Sequence, residues 1–167
     1  SCYVTDNADL IIYRDGLRFL RRELLGVIKN LSEFAEKYKA LPTLGYTHYQ
    51  PAQLITVGKR ASLWLQDFLS DVDEIDYVIS CIKLLGCRGT TGTEASFVDL
   101  FDGDTLKIDR MNRMIADDFG FETCFDVCGQ TYPRKLDSRI LNVLSSVAQS
   151  CCRMANDIRL LQHDRQI

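Results

Sequence analysis

Three stretches of this chain carry apolar side chains at alternating three- and four-residue steps, sustained over more turns than an average globular helix has. That spacing keeps one stripe of an α-helix turned toward a partner. The first stripe reads Leu10, Tyr13, Leu17, Leu20, Leu24, Val27, Leu31, Phe34, Tyr38 and Leu41, with charged residues between and no proline inside. The second follows Pro51 and reads Leu54, Val57, Ala61, Leu65, Phe68, Val72, Ile75, Ile79 and Ile82, ending at Gly86 and Gly89. The third follows Pro133 and reads Leu136, Ile140, Leu144, Val147, Cys151, Met154, Ile158 and Leu161. A proline suits a first helical turn, where its missing N–H would lack an intrahelical partner anyway.

Shorter pieces lie between the second and third stripes. Asp104 is a suitable cap for a helix running to about Phe119 and ended by Gly120, and Thr93 for a short one through Phe101. No segment shows a convincing strand alternation. The expected fold class is therefore all-α, a long-helix bundle forming one domain over residues 1–167.

A helix of ~30 residues at ~1.5 Å rise is ~45 Å long, which exceeds what one small globule wraps. Such helices need partners along their length. A second apolar line on the first helix, Ile12, Phe19 and Ile28, predicts burial on more than one side. Two readings follow: a homo-oligomeric bundle, or a wider core within one chain.

Composition narrows the classes. Hydrophobic residues are 46% and charged residues 26%, as in ordinary globular proteins, and the formal net charge is -3. That charge leaves no broad basic field, which disfavours nucleic acid as a partner. No apolar run approaches the ~20 residues that span a bilayer, so no membrane partner is expected. The seven cysteines include no CxxC pair. They read as free thiols without a structural zinc site, in a reducing compartment, which makes the expected location cytoplasmic.

Four segments carry candidate chemistry. The linker between the first two stripes, TLGYTHYQPAQ over residues 43–53, holds His48, one of only two histidines, beside Thr47 and Gln50. An imidazole there could protonate a poor amine leaving group, and it could equally be a packing or capping residue. GCRGTTGT, residues 86–93, could present N–H groups and hydroxyls to an anion or serve as a tight helix connection. CGQTYPRK, residues 128–135, places Gln130, Arg134 and Lys135 around a helix start, where they could hold carboxylate or phosphate or remain solvated. SCYVTDN, residues 1–7, reads as a helix-entry sequence. The second histidine, His163, reads as a solvated helix terminus, and the roles of Lys59, Arg60 and Arg134 stay open.

In order along the chain, SCYVTDN, LPTLGYTHYQPAQ with VGKR, GTTGTEASF, GQTYPRK and DIRLL resemble the adenylosuccinate lyase branch of the fumarase and aspartase superfamily, in its eukaryotic form. The resemblance extends over essentially all of the chain. It implies a homotetramer whose long helices share a common core and whose active sites are built from segments of different subunits. It implies that His48 is the general acid that protonates the departing nitrogen. Thr47, Gln130 and Ser1 match substrate-binding positions.

The resemblance also implies a purine nucleotide substrate: a succinyl-adenine nucleotide or a succinylated aminoimidazole carboxamide nucleotide, each releasing fumarate. No metal or organic cofactor is implied. The family's serine-bearing loop with its general base, an N-terminal domain with another histidine, and a C-terminal helical domain have no counterpart here. The chain is therefore expected to be a fragment that folds and self-associates but has negligible turnover alone. Another lyase of the superfamily, or a pure oligomerisation scaffold, is the competing expectation.

Overall fold

The computed structural model describes residues 2–167. The elements run α1 (Cys2–Lys37), β1 (Pro42–Thr47), β2 (Gln50–Thr56), α2 (Val57–Cys81), α3 (Ala95–Leu100), α4 (Thr105–Asp118) and α5 (Lys135–His163). Helices dominate, and each apolar stripe lies mainly on a long one, although Tyr38 and Leu41 fall beyond α1, Leu54 falls in β2 and Ile82 falls just past α2. Among the described residues the departures from an all-α fold are the antiparallel hairpin β1–β2, which occupies the linker that the sequence presents as a loop, and an isolated bridge between Leu84 and Cys124.

On α1 the burial follows the stripe at every seventh residue, through Leu10, Leu17, Leu24 and Leu31. The side chains between these positions on the stripe stand further out, with Val27 and Phe34 exposed. On α2 the buried line is Ala61, Trp64, Phe68, Val72, Ile75 and Val78, which places Trp64 and Val78 inward where the stripe assigns Leu65 and Ile79. On α5 the buried line is Leu136, Ile140, Val143 and Val147, which places Val143 inward where the stripe assigns Leu144, and Leu144 and Cys151 are exposed. On the second apolar line of α1, Ile12 is 65% and Phe19 57% accessible, while Ile28 is half-buried.

The chain divides into two compact units. One comprises the chain through Arg18 together with Tyr77–Leu141 and so includes α3 and α4. Its core gathers Leu10, Ile82, Leu84, Leu85, Ile108 and Tyr132, and it also buries three polar residues, Asp6, Asn7 and Asn112. The other comprises Phe19–Asp76 and Asn142–Ile167 and includes the hairpin. Its core gathers Leu24, Leu31, Trp64, Phe68, Ile75 and Val147.

Local chemistry explains where the elements begin. The start of α2 differs from the expectation: Pro51 lies in β2, and the helix is capped by Thr56, whose Oγ1 accepts the Lys59 N–H at 3.0 Å. The next two donors, Val57 and Gly58 N–H, find the Leu41 and Tyr38 carbonyls at 2.9 and 3.0 Å. Helix α4 starts as expected, with Asp104 accepting the Lys107 N–H, and closes through Phe119. Thr93 caps nothing. Helix α3 has Glu94 at its N-cap in the left-handed region (φ 59) with no side-chain cap, because the Glu94 carboxylate is engaged by Arg88 and Asn112.

Candidate functional site

The hairpin is the most specific local construction in its unit. Thr47 pairs with Gln50, so the turn has two residues, His48 and Tyr49, with φ of 54 and 58. Positive φ at both central positions matches a type I′ turn, which suits the twist of the flanking strands and usually takes Asn-Gly. Residues with a Cβ are strained there, at about 1–3 kcal/mol each, and persist only where the surroundings over-determine them. A bulge follows the turn: Leu44 pairs with Leu54 but Tyr46 with Pro51, so Ala52 and Gln53 together oppose Gly45. A Cβ at Gly45 would meet the Gln53 carbonyl oxygen at 2.8 Å.

Several side chains fix the hairpin against α2 and the end of α5. Arg60 Nη2 donates to the Leu44 carbonyl at 2.7 Å, which gives that cation a structural role. Gln166 accepts from Thr43 Oγ1 at 3.3 Å and donates to the Tyr46 hydroxyl at 2.9 Å. The Tyr49 hydroxyl lies 3.0 Å from Nδ1 of His163. His163 is exposed, as expected of a helix terminus, but it is also the partner of the turn.

His48 itself is exposed and has no hydrogen-bond partner among the described residues. It caps no helix and packs in no core. Thr47, also exposed, lines a cavity of about 830 Å³ between the hairpin, α2 and α5. The charged groups on its wall are Lys59 and Arg60 on one side and Asp157 and Asp164 on the other. Asp157 Oδ2 accepts the Trp64 indole N–H at 2.7 Å, so it is not a free acid.

The other unit brings three of the sequence motifs to one place. A pocket of about 300 Å³ is lined by Cys2 and Tyr3 from SCYVTDN, Gly86 and Thr90 from GCRGTTGT, and Gln130 from CGQTYPRK. Gln130 is exposed at its wall. Ser1 lies outside the described residues.

Two buried asparagines shape this pocket. Asn7 grips the Gly86 backbone in both directions, Nδ2 donating to its carbonyl at 3.1 Å and Oδ1 accepting its N–H at 3.0 Å. Asn112 Oδ1 accepts the Cys87 N–H at 2.7 Å while its Nδ2 donates to Glu94. Arg88 is held in turn by Glu94, the Leu85 carbonyl and the Phe125 carbonyl. Burial raises the Cys87, Cys124 and Cys128 thiols above their ordinary value, which keeps them neutral.

Behind the pocket, Asp6 accepts the Tyr132 N–H at 3.1 Å and the Arg134 guanidinium on both oxygens, so Arg134 is committed to an ion pair. Sequence reasoning singled out none of Asp6, Asn7, Glu94 or Asn112. Asp6 and Asn7 at least belong to a segment already set apart as SCYVTDN. Among the described residues, no three His, Cys, Asp or Glu side chains converge as metal ligands.

Comparison with known proteins places these features. Over all 167 residues the chain is 46% identical to an adenylosuccinate lyase of Schizosaccharomyces pombe and 47% identical to one of Saccharomyces cerevisiae. It is 40% identical over 168 aligned residues to that of Schistosoma mansoni. It spans 35% of the length of each of these relatives.

Among solved structures, a fumarate lyase from a Mesorhizobium species superposes with a TM-score of 0.83 at 24% identity, over 97% of this chain and 36% of that one. A β-carboxy-cis,cis-muconate cycloisomerase from Acinetobacter calcoaceticus superposes at 0.81 with 22% identity, over 95% and 35%. At such identities these two speak for the fold, a long-helix assembly with a small hairpin. The lyase family model matches residues 7–165, almost the whole of both units, and the chain belongs to the lyase family.

Proposed function

We propose that the whole protein is an adenylosuccinate lyase, which eliminates fumarate from a succinyl-adenine nucleotide to leave AMP, and from a succinylated aminoimidazole carboxamide nucleotide. The observation that carries this reading is His48: an unpartnered imidazole on a strained two-residue turn, in a chain aligned end to end with adenylosuccinate lyases. A histidine kept for packing would be buried or bonded. One kept for chemistry must be free to reach a substrate nitrogen.

In the proposed reaction a base removes a proton from the succinyl carbon β to the nitrogen, and the electron pair forms the new carbon–carbon double bond as the C–N bond breaks. His48 delivers its proton to the departing nitrogen, which would otherwise be a poor leaving group. Thr47, beside it on β1, contacts the substrate. Gln130 hydrogen-bonds the substrate from the pocket that also gathers residues of SCYVTDN and GCRGTTGT, and Ser1, outside the described residues, is proposed as a further substrate-binding residue from the resemblance alone. The base is assigned to none of the described residues.

The proposed active form is a homotetramer with sites assembled from several subunits. The second apolar line on α1 supports this, because Ile12 and Phe19 stand exposed on a helix whose opposite face is already buried. A cytoplasmic location is proposed with it: all seven cysteines are free, and no helix among the described residues is long and apolar enough to cross a membrane.

The test is fumarate release from the succinyl-adenine nucleotide by the whole protein, wild type against His48→Ala at equal tetramer content. A loss of about 10²-fold or more in kcat is expected. A wild type without turnover sinks the substrate assignment, and a variant with full turnover sinks the role of His48.

A further inference from the structure

We infer that His163 is a positioning residue for the catalytic turn: through its Nδ1, 3.0 Å from the Tyr49 hydroxyl, it latches the hairpin tip in the left-handed conformation that presents His48. The inference rests on the reading of His48 as the proton donor.

The need for a latch follows from how the tip is built. Two adjacent non-glycine residues hold positive φ, a conformation that relaxes unless something outside the turn opposes it. The ladder beneath gives little resistance. Pro51, opposite Tyr46, has no N–H to donate, and the bulge at Ala52 and Gln53 interrupts the pairing next to it. Arg60 and Gln166 hold the hairpin from outside, but they act on Thr43, Leu44 and Tyr46, before the turn.

At the tip, the Tyr49–His163 contact is the hydrogen bond that reaches a separate element among the described residues. Because Tyr49 directly follows His48, a rotation of the Tyr49 backbone re-aims the imidazole. The partner stands on an element separate from the hairpin, in the last turn of the 29-residue helix α5. With its proton on Nε2, His163 accepts the phenolic O–H at Nδ1. With a proton on Nδ1 it donates instead, to the Tyr49 oxygen or to Asp164 Oδ1 at 3.2 Å.

The experiment uses the whole protein in wild-type form and as Tyr49→Phe, His163→Leu, the two combined, and His163→Asn, whose amide can occupy the place of Nδ1. Turnover is measured at matched oligomer content, and hydrogen exchange by mass spectrometry is followed in the segment 42–56. Each single change is expected to lower kcat roughly three- to tenfold with KM within about twofold, as fits the loss of one orienting hydrogen bond. The combined variant should be no slower than the slower single one, and His163→Asn should recover most of the rate. Exchange around residues 46–50 should quicken in Tyr49→Phe and His163→Leu.

Unchanged exchange in His163→Leu would overturn the latch. Faster exchange with an unchanged kcat, or losses that multiply in the combined variant, would overturn the positioning role. A His48→Ala protein that keeps its turnover would instead remove the underlying reading, and exchange in the segment 42–56 would still judge the latch without reference to activity.

Discussion

Asp6, buried in the second turn of α1, receives the Arg134 guanidinium on both carboxylate oxygens at 3.1 Å, although the two residues lie 128 positions apart. The same carboxylate accepts the Tyr132 N–H at 3.1 Å, and the guanidinium lies over the Tyr132 ring at 4.1 Å. One buried acid therefore fixes the start of α5 beside the segment that carries Gln130. Asp6→Ala would leave an N–H and a cation without their acceptor. We expect a loss of roughly 2–3 kcal/mol, moderated by the half-exposed state of the arginine. Urea unfolding checks it, and a loss under about 0.5 kcal/mol would show that the pair does not support this unit.

The Gly86 backbone is held from two sides and closed to a side chain. Its φ of 76 is a glycine conformation, and a Cβ would meet Asn112 Oδ1 at 2.6 Å and Cys124 Sγ at 2.9 Å. Gly86→Ala should destabilise by about 2 kcal/mol or more, since strain adds to a displaced asparagine. Asn7→Asp should be harmful for another reason: it exchanges the donor facing the Gly86 carbonyl for a second acceptor. Both variants should also weaken substrate binding if Gln130 and this loop share a pocket with the nucleotide, which a rise in KM among the folded fraction would report.

Tyr132 makes the alkaline limb of stability predictable. Burial, and then the hydrogen bond its hydroxyl donates to Asp137 at 2.6 Å, push the phenol well above its ordinary value of 10.0. The folded state then keeps a proton that the unfolded chain has lost. The contribution is complete below about pH 10 and falls away as pH rises through that value. Unfolding followed from pH 8 to 11 should show a steeper decline in the wild type than in Tyr132→Phe. Parallel curves would mean that the phenol ionises as freely folded as unfolded.

Part of this fold and site was legible because it is periodic or local. Leu10, Leu17, Leu24 and Leu31 are inward for the reason their spacing suggests, and Asp104 caps α4 through a bond to a residue three positions on. The hairpin was hidden because it uses Gly45 and Pro51 where strands usually have β-branched residues, and His48-Tyr49 where tight turns usually have Asn-Gly. Asn7 and Asn112 could not be read either, since the backbone each one holds is 79 and 25 positions away. The motif strings marked where the pocket would form, but not the buried amides that shape it.

The start of α2 offers a clean test of that boundary, because two residues compete for it. Sequence spacing nominates Pro51 as the first helical turn, whereas the structure puts Pro51 in β2 and gives the cap to Thr56, whose hydroxyl accepts the Lys59 N–H at 3.0 Å. Thr56→Ala removes that acceptor from a helix end whose other leading donors are already satisfied by Leu41 and Tyr38. It should therefore cost about 1 kcal/mol, near the typical value for a lost N-cap. Pro51→Ala returns an N–H to the strand and leaves the helix end untouched, so its effect should stay within about 0.5 kcal/mol. A helix that truly began at Pro51 would reverse this order, with Pro51→Ala the more damaging change in thermal or urea unfolding.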